Sequence, residues 1–372
     1  MKIYQGGWKK KFLGPLASLL LYPLWVLYKL LQQPSKNLSQ ILIFEWYFLG
    51  DLVMISQCVR VLKDRYPEKE VILFCDDAWI PVGQLIPGVD RIVGVRCPWS
   101  PRYRDYSFRS LRNFWKQVAP YRRLGVFMTL SFRGDLRDHL LQGLIPASCR
   151  LGLRNSGCEY MLTHVAASCE IHQILLNNAV VEQIGLKPKY PELLLPPRRK
   201  NVAAFQELVA CNFGASDPFR AYPVEHVARL DRAARRLGIV LHYFHCGELD
   251  GLSLPSAHRL RLEAYLEELA SAVLFVGTDS ASAHLAAAWN IPSIILYGPN
   301  DPNLVGPLAA STLPLLGICP YAPCYNDCRF DRAYCMESFL PSSLVSLIQS
   351  RISSLDAPQN PCHTEKKVSK NE

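Results

Sequence analysis

Between residues 277 and 302 the chain reads GTDSASAHLAAAWNIPSIILYGPNDP. A carboxylate, Asp279, follows an apolar run, and three small residues, Ser280, Ala281 and Ser282, come next. Small side chains at the start of a helix let a ligand approach its free N–H groups, and the positive end of the helix dipole favours a phosphate there. Thr278 or Asp279 is placed to cap that helix, and Asp-Ser-Ala is an equally sound cap with no ligand at all. His284 lies one turn in, where a lone histidine is more often a packing residue. The turn Gly298-Pro299-Asn300-Asp301-Pro302 follows the next apolar run, so it emerges on the same sheet edge as Asp279.

The segments that must position these loops alternate in type. ILIFEW (41–46), EVILFC (70–75), RIVGV (91–95) and LGVFMTLSF (124–132) read as buried strands. DLVMISQCVRVLKDRYP (51–67) predicts one amphipathic helix, and HQILLNNAVVEQIG (172–185) another, closed by Gly185. Pro188, Pro191, Pro196 and Pro197 then interrupt any regular element and mark a boundary. Beyond them the alternation restarts, with LVACNF, IVLHYFHC, VLFVG and SIILYG as strands between helical segments. The pattern predicts an α/β protein of two parallel-sheet domains, 38–190 and 198–350, with a disordered tail at 357–372. Ligands of such sheets bind at the carboxyl ends of the strands, in the cleft between the domains.

A hydrophobic content of 49% over 372 residues excludes a disordered chain. The net charge of +9 suggests nucleic acid at first, but Lys2, Lys9, Lys10, Lys11, Lys29 and Lys36 carry +6 of it in a leader without a single acid. Phe12 to Tyr28 is free of charge, at the short limit for a spanning helix, and no cleavage site closes it. A basic, apolar leader (1–37) points to a membrane surface rather than to DNA, with residues 12–31 in the interface and Trp8, Trp25 and Tyr28 at headgroup level. A true span and a helix packed on the protein's own body are the alternatives. Thirteen scattered cysteines fit a reducing compartment and a cytoplasmic body.

Taken together the motifs resemble glycosyltransferase family 9, the ADP-heptose:lipopolysaccharide heptosyltransferases. Asp279-Ser280-Ala281, His284-Leu285-Ala286-Ala287-Ala288 and Gly298-Pro299-Asn300-Asp301-Pro302 stand where that family has Asp-Thr-Gly, His-Leu-Ala-Ala-Ala and Gly-Pro-Thr-x-Pro. Gly50-Asp51 after the first strand matches as well, as do Asn212, Gly214, Ser216, Arg220, Tyr222 and Pro223, and the Cys-rich segment near the C-terminus. The resemblance covers residues 38–350. It implies a GT-B fold, two facing Rossmann-like domains, here with an N-terminal membrane-associated helix. It also implies an inverting, metal-independent sugar transfer that needs no cofactor. Asp51 would be the general base. Ser216, Arg220, Asp279, Ser280, Ala281, His284, Gly298 and Pro299 would bind the nucleotide-sugar donor, ADP-heptose by family default. The acceptor would be a lipopolysaccharide core or related lipid-linked glycan, met at the cytoplasmic face of the inner membrane. Against the family pattern, Glu45 replaces a Lys or Arg, Ala281 replaces Gly, and Asn212-Phe213-Gly214 lacks the usual Pro. Glu45 should raise the pKa of Asp51.

The basic and aromatic stretch 99–123 is assigned to the anionic acceptor, with Arg133 and Arg137 extending that surface. Cys319, Cys324, Cys328 and Cys335 are a weak candidate for a structural zinc site, reduced thiols being the simpler reading. Two other functions remain in view: a GT-B transferase with another nucleotide sugar, and a non-catalytic relative that binds a glycan or scaffolds other enzymes. Nucleic-acid binding is the weakest reading, since the charge lies in the leader.

Overall fold

The computed structural model describes residues 8–31, 38–122, 125–167, 172–188, 208–246, 249, 252, 254–325 and 327–356. The proline-rich boundary and the tail from 357 lie outside the described residues. So do the side chains of Trp8 and of the leader lysines other than Lys29.

The chain opens with α1 (Trp8–Leu31), which runs unbroken through Pro15 and Pro23. A first unit follows: β1 (Gln40–Phe44), α2 (Leu49–Met54), α3 (Ser56–Arg65), β2 (Glu70–Asp76), α4 (Ile80–Gly83), β3 (Arg91–Val95), α5 (Phe108–Val118), β4 (Val126–Ser131), α6 (Leu136–Leu144), β5 (Ala147–Leu153), β6 (His164–Ala166) and α7 (Gln173–Glu182). The second unit contains β7 (Val209–Asn212), α8 (Val224–Arg236), β8 (Leu241–Phe244), β9 (Ala257–His258), α9 (Leu262–Ser271), β10 (Leu274–Thr278), α10 (Ala281–Ala288), β11 (Ser293–Tyr297), α11 (Pro302–Val305), β12 (Thr312–Leu316), α12 (Tyr334–Glu337) and α13 (Pro341–Asp356).

Both sheets are parallel and six-stranded, in the orders β3-β2-β1-β4-β5-β6 and β12-β11-β10-β7-β8-β9. Apolar side chains on both faces of β1 explain its continuous run. Ile41 and Ile43 pack beside α2, α3 and α7, while Leu42 and Phe44 face α5 and α6. The expected helix at 51–67 is instead two, α2 and α3, joined at Ile55. Strands β5, β6, β9 and β12 and the helix α13 escaped the sequence reading. Their residues mix polar and apolar types, as in Ala147–Leu153, or are very short, as in Ala257–His258.

In each sheet the connection order reverses once, between β1 and β4 in the first and between β7 and β10 in the second. Strands on either side of such a reversal send their following loops apart and leave a crevice at their carboxyl ends. One apolar cluster runs from Leu52 and Val53 of α2 to Ala283, Leu285 and Ala286 of α10, so the two crevices face each other across a packed contact. His172, just before α7, adds a tie between the units. Its Nδ1 accepts from Ile174 N at 3.2 Å, which leaves Nε2 protonated to donate to Gly306 O at 2.9 Å.

Candidate active site

Asp51 comes from the crevice of the first sheet. β1 ends at Phe44, the chain bends at Tyr47, and α2 begins after the extended Phe48, placing Asp51 in its first turn rather than at its cap. Arg133 follows β4, the strand beside β1, and its Nη2 is ion-paired with Asp51 Oδ2. Gly134, at φ +60°, provides the turn directly after it, and a side chain there would collide with Leu153 O. The Arg133 guanidinium lies over the rings of Tyr47 and Phe48, at 5.2 and 5.7 Å. Tyr47 is anchored in turn: its O–H donates to Asp138 at 3.1 Å, where Trp99 Nε1–H and Ser131 O–H also donate, at 3.0 and 2.9 Å. Burial, then the nearby Asp135, push the Asp138 carboxyl up to about 7.

Burial holds the Asp51 carboxyl above the ordinary Asp range, with the Arg133 guanidinium pulling it back. Glu45 differs from expectation. It is buried, its Oε1 accepts from Tyr47 N at 3.3 Å, and burial followed by the Asp51 charge pushes its own pKa well up. Of the two carboxyls, Glu45 has the neutral form the more strongly favoured, while Asp51 keeps the cation.

The crevice of the second sheet supplies the other wall. After β7, Asp217 caps the turn at Pro218–Arg220, its Oδ1 accepting from Phe219 N at 2.9 Å with Pro218 at the first helical position. That turn aims Arg220 at the end of β10. Arg220 Nη1 donates to Asp279 O at 3.1 Å and lies 3.4 Å from Asp279 Oδ2, and Nη2 donates to Ser216 Oγ at 2.6 Å. Asn300 Nδ2, from the loop after β11, donates to Asp279 Oδ2 at 2.6 Å. Three loops after three neighbouring strands thus converge on one carboxylate.

Neither Thr278 nor Asp279 caps α10, contrary to expectation. Thr278 O–H donates to Gly214 O at 3.0 Å, Asp279 is taken by Arg220 and Asn300, and the capping position falls to Ser280, whose side chain makes no cap hydrogen bond. The buried Ser280 Oγ and His284 Nδ1 have no partner among the described residues. Burial lowers the His284 pKa to about 4, with Asp279 opposing, so the ring is neutral at pH 7. The helix start therefore keeps free N–H groups beside a neutral imidazole, which suits an anionic ligand.

The two walls meet at Gly50. A Cβ there would lie 3.2 Å from His284 Cδ2 and 3.6 Å from Ala281 Cα. The residue before the candidate base thus rests against the start of α10, two positions after Asp279. Gly50→Ala is expected to overpack this contact, at about 1 to 3 kcal/mol, and to lower turnover roughly tenfold or more by shifting the walls. Thermal melting and steady-state kinetics of that variant check both effects.

Other expected site residues are placed differently. Arg137 is held in a two-pronged pair by Asp135, at 2.6 and 2.8 Å, and donates to Tyr106 OH at 2.7 Å. Gly298 is demanded by packing, since a Cβ would meet Met336 Sδ at 2.5 Å and Cys335 Sγ at 2.8 Å. Pro299 contributes its carbonyl to Tyr325 N at 2.8 Å. Ala281 places its backbone against Gly50. Cys319, Cys324, Cys328 and Cys335 form no disulfide with one another, and among the described residues no three of His, Cys, Asp and Glu form a group that could hold a metal. The stretch 99–123 divides: Trp99 and Tyr106 reach Asp138 and Arg137 near the strand ends, whereas α5 packs beneath the sheet. Asn300, Tyr47 and Asp138 were not singled out as site residues. Asn300 stands in a quoted motif, but no local pattern marks the other two.

Residues 187–334 match the model of glycosyltransferase family 9 (heptosyltransferase). Lipopolysaccharide heptosyltransferase 3 of Escherichia coli (strain K12) is 21% identical over 282 residues, which cover 68% of this chain and 80% of that protein. Two solved structures are similar in fold. One is E. coli ADP-heptose lps heptosyltransferase II, with a TM-score of 0.69 at 16% identity, covering 86% of this chain and all of that one. The other is E. coli heptosyltransferase WaaC with ADP, with a TM-score of 0.66 at 15% identity, covering 84% of this chain and 99% of that one. The two parallel-sheet units therefore have the GT-B arrangement, and the resemblance read from the motifs is borne out.

Proposed function

We propose that the chain is a member of glycosyltransferase family 9, whose model its residues 187–334 match, and that it transfers heptose from ADP-heptose to a lipopolysaccharide core or related lipid-linked glycan, with inversion at the anomeric carbon. The observation that supports this reading is the Gly50 contact, which sets the residue before Asp51 against the start of α10, two positions after the Asp279 that Arg220 and Asn300 hold.

In the proposed reaction an acceptor hydroxyl lies against Asp51, with Arg133 beside it. The carboxylate takes the hydroxyl proton as the oxygen attacks C1 of the donor sugar. The bond from C1 to the diphosphate oxygen breaks on the far side, and ADP leaves with both electrons of that bond. Attack and departure on opposite faces invert the centre. Arg220 exchanges its contacts to Asp279 and Ser216 for phosphate oxygens, and the uncapped N–H groups of α10 meet the same charge. These fixed donors stabilise the leaving group as charge develops on it, so the chemistry requires no metal. Asp279, still held by Asn300, contacts the sugar. α1 holds the enzyme at the cytoplasmic face of the inner membrane, where the acceptor lies.

Calorimetric titration with ADP, UDP, GDP and CMP tests the donor assignment, with Asp279→Ala as the control. Selective ADP binding that the variant loses is the expected result. Selective binding of another nucleotide moves the donor elsewhere among GT-B transferases. A folded protein that binds none of the four fits a non-catalytic relative instead.

A further inference from the structure

Two helices on the outer side of the first sheet take no part in the proposed reaction. α5 packs inward through Phe114 and Val118, against the sheet face that carries Leu42, Phe44, Ile72 and Phe74. α1 lies against the body from Ser18 to Tyr28. Ser18 Oγ accepts from Cys158 N at 2.7 Å, Tyr22 and Trp25 meet Tyr160 edge-on at 5.0 and 5.4 Å, and Tyr28 O–H donates to Leu144 O at 2.9 Å. Arg122 joins the two helices. Its Nη2 donates to Tyr28 OH at 2.8 Å, and its guanidinium lies 5.3 Å from the ring of Trp115 in α5. The two helices therefore share one outer face.

That face is apolar and basic. Along α1, Leu16, Leu19, Leu20, Leu24, Leu27 and Leu30 recur at three- and four-residue spacings and are 53 to 78% exposed. On α5, Phe108 and Leu111 are 82% and 40% exposed and continue the row that ends at Trp115, on the side of Arg122. Arg109, Arg112 and Lys116 form the next row, all exposed. Neither helix contains an acidic residue. Leucines at this density, on two helices without an acid, match the chemistry of an anionic lipid surface, where acyl chains accept the apolar row and headgroup phosphates the basic one. A second copy of the chain would instead bring like charges together.

We propose that α1 and α5 together form a docking face for the anionic surface of a bilayer. The proposal rests on the membrane location given above and deepens it, since it assigns α5 to the lipid rather than to the acceptor. Among the described residues no helix is long and apolar enough to cross a membrane. The contacts from Ser18 to Tyr28 hold α1 flat against the protein, so it lies along the interface.

Flotation of the full chain with phosphatidylcholine vesicles, with and without phosphatidylglycerol, tests this. The chain is expected to bind the anionic vesicles, more weakly as salt rises. The triple variant Arg109→Ala, Arg112→Ala, Lys116→Ala should lose affinity on the order of a hundredfold at low salt, at about fivefold per charge. The double variant Leu20→Glu, Leu24→Glu should not bind. All these side chains are exposed, so unchanged melting temperatures confirm that the variants fold. If the leucine variant is released while the triple variant binds like the parent, α5 has no part in docking, and only the membrane location stands. If the parent itself binds no vesicle, both readings fall. A parent dimer that the same variants dissociate, without vesicle binding, makes the face an interface between copies and also overturns the inference.

Discussion

Asp51→Asn is expected to lower kcat on the order of a thousandfold while the affinity for ADP stays within a factor of two or so, the range general-base removal produces. In free energy that is about 4 kcal/mol of lost transition-state stabilisation. The substitution keeps the shape of the side chain and its place in the first turn of α2, but it removes the site for the proton. Because burial raises the Asp51 carboxyl above the ordinary Asp range, the parent should also show a distinct acid limb. The base works only when ionised, so kcat should fall as pH falls through that raised pKa, at higher pH than an exposed Asp would give. The residual activity of the Asn variant should lack this limb. Rates of ADP release from ADP-heptose in the presence of acceptor, taken across pH, measure both effects. Near-parental turnover in the variant would remove Asp51 from the mechanism and leave it as the partner of Arg133.

Arg220→Ala is expected to lower kcat/KM by roughly a hundred- to a thousandfold, about 3 to 4 kcal/mol, the scale of removing one fixed donor from a developing anion. ADP affinity should fall with it, because in the proposed reaction the same guanidinium meets the diphosphate of the bound donor. Arg220→Lys should recover only part of the loss, since an ammonium is a point charge without the planar fork that now spans Asp279 and Ser216. In the absence of ligand Arg220 is part of the local scaffold, so melting temperatures are needed alongside the kinetics. A variant that melts early yet binds ADP normally would make Arg220 structural and place the diphosphate elsewhere.

The motif residues were legible because each is a short local pattern with its own chemistry. Gly50-Asp51, Asp279-Ser280-Ala281 and Gly298-Pro299 all follow apolar runs, and periodicity is enough to place such loops at strand ends. What periodicity does not carry is which strands are neighbours. Arg133 reads from sequence as an extension of the basic stretch 99–123, and nothing local ties it to Asp51, 82 positions away. It became the partner of the base only because β4 pairs with β1. Asn300 reached Asp279 in the same way, through the pairing of β11 with β10. The cap of α10 was misjudged for a related reason. A carboxylate beside a helix start normally accepts from that helix, but Arg220 and Asn300 arrive from other loops and take it first.

By itself, then, the sequence determined that this is a parallel α/β chain with a basic apolar leader, and which loops carry carboxylate, arginine and helix start. Those are properties of nearest neighbours along the chain. Only the tertiary structure decided that Glu45 is buried beside Asp51, that Arg133 pairs with Asp51, and that Gly50 rests against the start of α10. Each of these depends on burial or on contacts between residues far apart in sequence, where desolvation and packing rather than local propensity determine the outcome.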